Sequence, residues 1–234
     1  MKKATTLVLA VAAGLLLAQS AFAGAQALRI SQVYGGGGNT GAQYNQDFIE
    51  IINASATPVD ISGWAVEYAS AAGSWGTSFL SGGVTFNNYV VFPAGTAIQP
   101  CSYILIGGAI GAVAAPSLPT PDFSIPTNLS GTNGNVGLFT QVNPGAACLV
   151  VVGLVDKVAY GTGACPEGTA AGALSNVTAA VRNNCGLTDT DNNSADFTSS
   201  GPPVPHNAAS GKSTCCLAVP TLKSTWGVLK TLYR

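Results

Sequence analysis

The chain carries a single imidazole, His206, in the stiff run Pro202-Pro203-Val204-Pro205-His206. A hydrolase triad needs such a base held beside a nucleophile. An extended proline-rich segment next to the C-terminal tail argues for a solvated loop histidine instead. Two carboxylate pairs have the composition of an acid–base couple, Asp47 with Glu50 and Asp156 with Glu167, but neither spacing implies a cleft for a substrate. The densest set of oxygen donors is Asp189, Asp191, Asn193 and Asp196. A calcium ion takes about six to eight oxygens, and this run lacks the glycine and the distal glutamate of an EF-hand loop. The reading adopted is an Asx-rich turn that satisfies its own backbone, with weak calcium binding as the alternative. Two glycine motifs fail on context. Gly36 to Gly41 formally matches G-x-G-x-x-G, but a β-rich run follows where a helix is required, so a mobile surface loop is expected. Gly211-Lys212-Ser213-Thr214 lacks the first glycine of a P-loop, because His206 occupies that position. No catalytic residue, cofactor or firm metal ligand is assigned.

Six cysteines offer a different chemistry: Cys101, Cys148, Cys165, Cys185, Cys215 and Cys216. An even number in an exported chain points to disulfides, and one histidine with no C-x-x-C pair argues against zinc. The expected bridge is Cys165–Cys185, whose partners share an irregular segment, with Cys101–Cys148 as a second pair. Neighbouring cysteines bridge each other only under strain, so Cys215 and Cys216 each pair elsewhere or stay free.

The elements that must position these residues are strands. The chain has 29 Gly and 13 Pro and only 8% charged residues, a composition that suits short strands and turns. Leu28 to Tyr34 reads as a first strand. Asp47 to Asn53 has Phe48, Glu50 and Ile52 on one face and Ile49 and Ile51 on the other, as in a strand partly covered on both sides. Val59 to Tyr68 alternates, with Trp64, Val66 and Tyr68 inward and Ala65 and Glu67 outward. Trp64 is the expected buried anchor. Residues 69 to 83 read as a loop or hairpin tip, and 107 to 134 as a long loop ending in the hairpin dipeptide Asn133-Gly134. Val84 to Phe92, Ser102 to Ile106, Val136 to Phe139 and Leu149 to Tyr160 complete the series. Short strands at this spacing imply an all-β sandwich or barrel.

The ends of the chain differ from its body. Met1-Lys2-Lys3, the apolar run Leu7 to Leu17 and Ala21-Phe22-Ala23 have the pattern of a cleaved signal peptide over residues 1–23. No later stretch reaches the length of a membrane span. Residues 24–211 hold three cations against ten acids, a net of −7, whereas residues 212–234 hold four cations and no acid, a net of +4. The body therefore lacks the basic face that nucleic acid requires. Residues 24–210 are read as one domain and 211–234 as a basic tail. Within the tail, Thr221 to Arg234 carries a helical pattern, with Trp226, Leu229, Leu232 and Tyr233 near one face. It suits contact with an envelope surface, the alternatives being a frayed end or a helix docked on the sandwich.

The ordered motifs resemble a known family. Ile30-Ser31-Gln32-Val33-Tyr34, the glycine loop, Asp47-Phe48-Ile49-Glu50-Ile51 with Asn53, and Pro58-Val59-Asp60-Ile61-Ser62-Gly63-Trp64 are similar to the opening of a bacterial lamin-tail domain. Asp156 to Gly161, Cys165, and the run Cys185 to Phe197 resemble its later part, and Pro205-His206-Asn207 sits where that family commonly ends in Pro-Arg-Asn. The resemblance spans residues 28 to 208. It implies an all-β, immunoglobulin-like antiparallel β-sandwich that serves as a non-catalytic docking module, secreted in bacteria alone or fused to extracellular hydrolases. The expected function is thus a secreted, extracellular binding or surface-interaction module whose partner is a protein or a cell surface. The alternatives are an accessory domain for a separately encoded nuclease or phosphoesterase, and a calcium-stabilised envelope protein.

Overall fold

Two runs of branched side chains, β1 (Leu28–Tyr34) and β2 (Gln46–Asn53), form an antiparallel pair at the centre of the molecule. The structure, a computed structural model, describes residues 27–148 and 151–216. The expected signal segment 1–23 and the expected helix over 221–234 lie outside the described residues. After β2 come β3 (Val59–Asp60), β4 (Ala65–Ala69), β5 (Ser78–Ser81), β6 (Val84–Asn87), β7 (Tyr89–Val91), β8 (Ala97–Ile98), β9 (Tyr103–Ile110), β10 (Phe123–Ser124), β11 (Gly134–Phe139), β12 (Leu154–Tyr160) and β13 (Ala179–Arg182). Two single helical turns, α1 (Asn183–Gly186) and α2 (Asn193–Asp196), precede the last strand β14 (Phe197–Gly201).

These strands make two packed sheets. One has six strands in the order β10-β9-β2-β1-β13-β14, and the other has four in the order β12-β11-β4-β7. All neighbours are antiparallel except β9 and β10. The core lies between them. Ile30, Val33, Ile49, Ile51, Ile104 and Ile106 face Val66, Tyr68, Val136, Leu138, Val158 and Tyr160. Each such side chain contributes about 1.5–3 kcal/mol by leaving water. The expected immunoglobulin-like β-sandwich is what the chain forms.

Chain segments cover the outer face of each sheet as well, and this overturns several expectations. On the outside of the six-stranded sheet, Tyr34, Phe48, Leu105 and Leu118 form a second cluster, so β2 is buried on both faces as its mixed pattern implied. Over the four-stranded sheet, Trp75 and Phe139 pack edge to face with centroids 5.2 Å apart. Trp75, from the stretch read as a loop, is the tryptophan with 0% exposure, while Trp64 is partly buried against the main core. Glu67, expected to face outward into water, is also 0% exposed. Its carboxylate accepts the Asn143 amide at 2.7 Å beneath the covering loop. Burial pushes the Glu67 carboxyl upward against that hydrogen bond.

Other boundaries moved for local reasons. The expected strand 59–68 is cut because Asp60 accepts the Ser62 N–H at 2.8 Å in an Asx turn and Gly63 follows at φ 78°. The segment 84–92 divides into β6 and β7. Asn133-Gly134 closes no two-residue hairpin, because β11 pairs with β4 and β12. The glycine loop is not a free surface loop: Gly35, Gly36 and Gly38 are buried. A Cβ on Gly37 would come within 2.0 Å of the Gln46 backbone, so glycine is required there for close packing of chain on chain.

Candidate functional site

The Pro-rich segment after β14 runs back across the outer face of the six-stranded sheet as a strap. Gln32 of β1 holds it through both its side-chain atoms, donating to the Val204 carbonyl at 2.6 Å and accepting the Val204 N–H at 3.0 Å. Glu50 of β2 accepts the His206 N–H at 2.6 Å and lies 3.0 Å from the ring nitrogen Nδ1. The same carboxylate accepts the Ser31 hydroxyl at 2.5 Å and Gln32 at 3.2 Å. The imidazole stacks on Tyr103 of β9, centroids 4.6 Å apart. His206 is therefore a bonded, half-buried group rather than a solvated one. Hydrogen bonding to Glu50 raises its pKa, against the smaller effect of burial. Beyond it, Ala208 donates to Asp122 at 3.0 Å and Ser213 to the Cys101 carbonyl at 2.7 Å. A cavity of about 350 Å³ remains between strap and sheet, lined by Glu50, Tyr103, Val204, His206 and Lys212.

The disulfides fix the strap. They are Cys101–Cys216, Cys185–Cys215 and Cys148–Cys165. Neither expected bridge forms: Cys165 joins Cys148 of the loop over Trp75, which leaves Cys185 and Cys101 to take the adjacent Cys215 and Cys216. Sequence proximity misled here, because the strap brings Cys215 back to α1 and Cys216 back to Cys101, just before β9. Covalent attachment of the strap thus continues past the expected boundary at 210, to Cys216.

The Asp-rich turn sits at the far side of β13. Arg182, the last residue of that strand, is 1% exposed. Its guanidinium donates to the Ile30 carbonyl at 2.8 Å, to Asp156 at 2.6 Å, and to the Thr188 carbonyl and Asp189 at 3.0 and 3.3 Å. It also lies 4.4 Å from the Phe197 ring centre, a cation–π contact. Burial raises the Asp156 carboxyl, and Arg182 and the Ile30 N–H oppose that shift. The turn thus supplies countercharge for a buried cation.

The calcium candidates have separate partners. Asp189 bonds Arg29 at 3.0 Å and Arg182. Asp191 is exposed at φ 55°. Asn193 uses its side-chain oxygen to accept the N–H groups of Ala159 and Glu167, at 2.9 and 3.1 Å. Asp196 accepts from Thr190 N–H and hydroxyl at 2.9 and 2.7 Å. Burial acts against the Asp196 carboxylate, but these hydrogen bonds outweigh it and lower its pKa.

Of the two carboxylate pairs, Asp47 and Glu50 are on opposite faces of β2. Asp47 ties the glycine loop to the 127–131 loop by accepting Gly37 and Leu129 N–H groups, both at 2.7 Å. Burial raises it to about 7 against those bonds. Asp156 and Glu167 do meet, and with Asp189 their oxygens lie within 4.8 Å of one another. Burial and the two neighbouring carboxylates raise Glu167 to about 8. Two guanidinium groups contact Asp156 and Asp189 of this trio, and the Asp156 side chain is 3% exposed.

A third region has no charge at all. Between Glu67 and Asp122 the sequence contains no Asp, Glu, Lys, Arg or His. Out of this stretch projects the ribbon β5–β6, whose residues are exposed except for Phe86. Phe79 and Phe86 pair across the strands and stack at 5.5 Å. Val84, on that same face, is 55% exposed, and Leu80, on the other, 72%. Sequence reading found a hairpin tip here but not its apolar exposure. The available signal was the long absence of charge.

No curated protein matches the chain. A crystal structure of a DUF4876 family protein from Bacteroides thetaiotaomicron VPI-5482 superimposes with a TM-score of 0.50 at 14% identity, covering 81% of this chain and 75% of that one. At that identity the likeness concerns the fold alone. The family model for the Lamin Tail Domain matches residues 22–196, a span that includes β1 to β13, the buried Arg182 cluster and the Asp-rich turn. With two packed sheets and a match over most of its length, the chain belongs to the lamin tail domain family.

Proposed function

We propose that the chain is a secreted, non-catalytic binding module that acts through its uncharged face at the surface of the producing cell. The observation that carries this reading is the β5–β6 ribbon, which exposes Phe79, Leu80 and Val84 without a charged neighbour in sequence. Phe79 and Val84 share one face of the ribbon and Leu80 lies on the other, and apolar side chains exposed together on a projecting element mark an interaction site. The titratable groups support the non-catalytic part, since Glu50, Asp156 and Arg182 are buried and bonded within the fold. Three disulfides suit an oxidising compartment and so an exported chain. The bridges at Cys215 and Cys216 fasten the body immediately before the basic residues Lys223, Lys230 and Arg234, a position from which these residues can contact an anionic envelope. The test is retention of the purified protein on the producing cell's surface fraction. The parent protein is retained and Leu80→Lys with Val84→Lys is lost to the supernatant at unchanged Tm. Equal retention of both overturns the reading.

A further inference from the structure

We infer that the Cys185–Cys215 bridge is a redox-labile latch on the strap, opened by thiol exchange with a dithiol while the other two bridges stay closed. The latch belongs to the strap side and owes nothing to the ribbon. Among the described residues, four other than glycine have left-handed backbone, and three of them sit where the strap is fastened: Cys101 at φ 59°, Asn184 at 53° and Cys185 at 55°. Asparagine visits that region with the help of its short polar side chain, which cysteine lacks. Residues persist there only when their surroundings hold them. The turn at α1 is braced by the N–H groups of Leu187 and Thr188, which donate to the Asn184 and Asn183 carbonyls at 3.1 and 3.2 Å, and by the link to Cys215.

Access separates the three bridges. Cys185 is exposed and Cys215 half-buried. Cys185 also lines the cavity of about 350 Å³ between strap and sheet, together with His206 and Lys212. A thiolate can therefore reach this bridge along a wall that carries an ammonium group. Cys101 is 4% exposed and Cys165 2%. Cys165 has ordinary backbone, and its N–H donates to Asn135 at 2.9 Å. Strain and exposure make a disulfide labile, and Cys185–Cys215 is the bridge that combines them. Exchange is a two-electron transfer. One thiolate of the dithiol attacks a sulfur of the bridge, and the other cysteine leaves as a thiolate; the second thiol of the dithiol then displaces the remaining protein sulfur. The dithiol ends as a disulfide, and its two protons pass to Cys185 and Cys215. Opening stays local. Cys216 remains bonded to Cys101, and Ser213 donates to the Cys101 carbonyl at 2.7 Å. Cys215 is thereby kept near Cys185 and recloses at high effective concentration.

Graded reduction of the intact, oxidised chain in dithiothreitol redox buffers, followed by alkylation and peptide mapping, tests this. Cys185 and Cys215 should be labelled first. Their bridge should be at least tenfold easier to reduce than either of the others, a difference of about 30 mV for a two-electron couple. In glutathione disulfide the two-thiol form should reclose to the same pair. Asn184→Val places a β-branched residue in the left-handed turn and should make the bridge several-fold easier still to reduce. Simultaneous labelling of all six cysteines overturns the inference. So does earlier opening of Cys101–Cys216 or Cys148–Cys165, reclosure to other pairs, or a reduction potential indifferent to Asn184→Val.

Discussion

The strap side and the ribbon side of the molecule are opposites. Beneath and beside the strap, charged groups are buried and each is held several times over: Glu50 accepts from Ser31, Gln32 and His206, and Arg182 donates to two carboxylates and two carbonyls. Two disulfides one residue apart then lock the strap in place. The ribbon has no charge, is cross-linked by no disulfide and is braced by one ring pair. Polar groups taken out of water must be partnered or they destabilise the fold, and the bonds of Glu50 and Arg182 hold the strap side together. Apolar groups left in water have no such obligation and gain by finding a partner. On the proposed reading, stability belongs to one side and recognition to the other.

The sharpest way to break it is at Arg182. Arg182→Leu leaves the Asp156 carboxylate buried without its cation, a change that costs about 3–5 kcal/mol. Chemical denaturation of the variant should show a loss of that size. A loss under about 1 kcal/mol would mean that the cluster is not what holds β1, β12 and β13 together.

Next come the two bridges of the strap. Removing a native disulfide from a secreted domain costs about 2–5 kcal/mol. The Cys101–Cys216 bridge spans 115 residues and Cys185–Cys215 spans 30, so in the chain-entropy account Cys101→Ser with Cys216→Ser should cost about 1 kcal/mol more than Cys185→Ser with Cys215→Ser. Equal melting temperatures for the two double variants would show that native-state packing of the strap outweighs loop length.

A smaller effect is expected at His206. Its pKa is raised in the folded state by Glu50, so the histidine contributes stability that is fully present below its ordinary value near 6.5 and is lost as pH rises through the raised value. The side chain is 36% exposed, which keeps the effect within that of a solvent-screened pair, under about 1 kcal/mol. Asp47 and Glu167, raised to about 7 and about 8, lose protons over the same range. The histidine's share is therefore read as the difference between two thermal-melt profiles: the parent should decline slightly more above neutrality than His206→Asn. An unchanged pH profile in that variant would assign the decline to another group.

Legibility followed the same division. Strands with branched residues in alternation, such as β1, β2 and β9, could be read directly, and so could a sandwich with both faces of β2 covered. β13 could not, because Ala179, Ala180 and Val181 carry little pattern and its one informative residue, Arg182, looks like a surface cation. Glu67 was misplaced because alternation assumes that the outer face meets water, and a loop anchored by Asn143 covers it. Trp75 was hidden in a run of Gly, Ser and Ala. The disulfide partners depend on where the strap returns, which no local spacing encodes. Glu50 alone offered a usable hint of the strap side: an acid between Phe48 and Ile52 on one strand face has to find a buried partner, and it does in His206.

The most direct measurement of the central claim is hydrogen exchange of the intact protein, free and bound to the producing cell's surface fraction. In the free protein the amides of residues 78–87 should exchange quickly, as expected for a region with little burial, while those of β1 and β2 stay protected. On binding, new protection should appear over residues 78–87 and leave the strap at 202–214 unchanged. Protection that instead appears at the strap and around the cavity beside His206, with the ribbon still exchanging freely, would contradict the account and move recognition to the other side of the molecule.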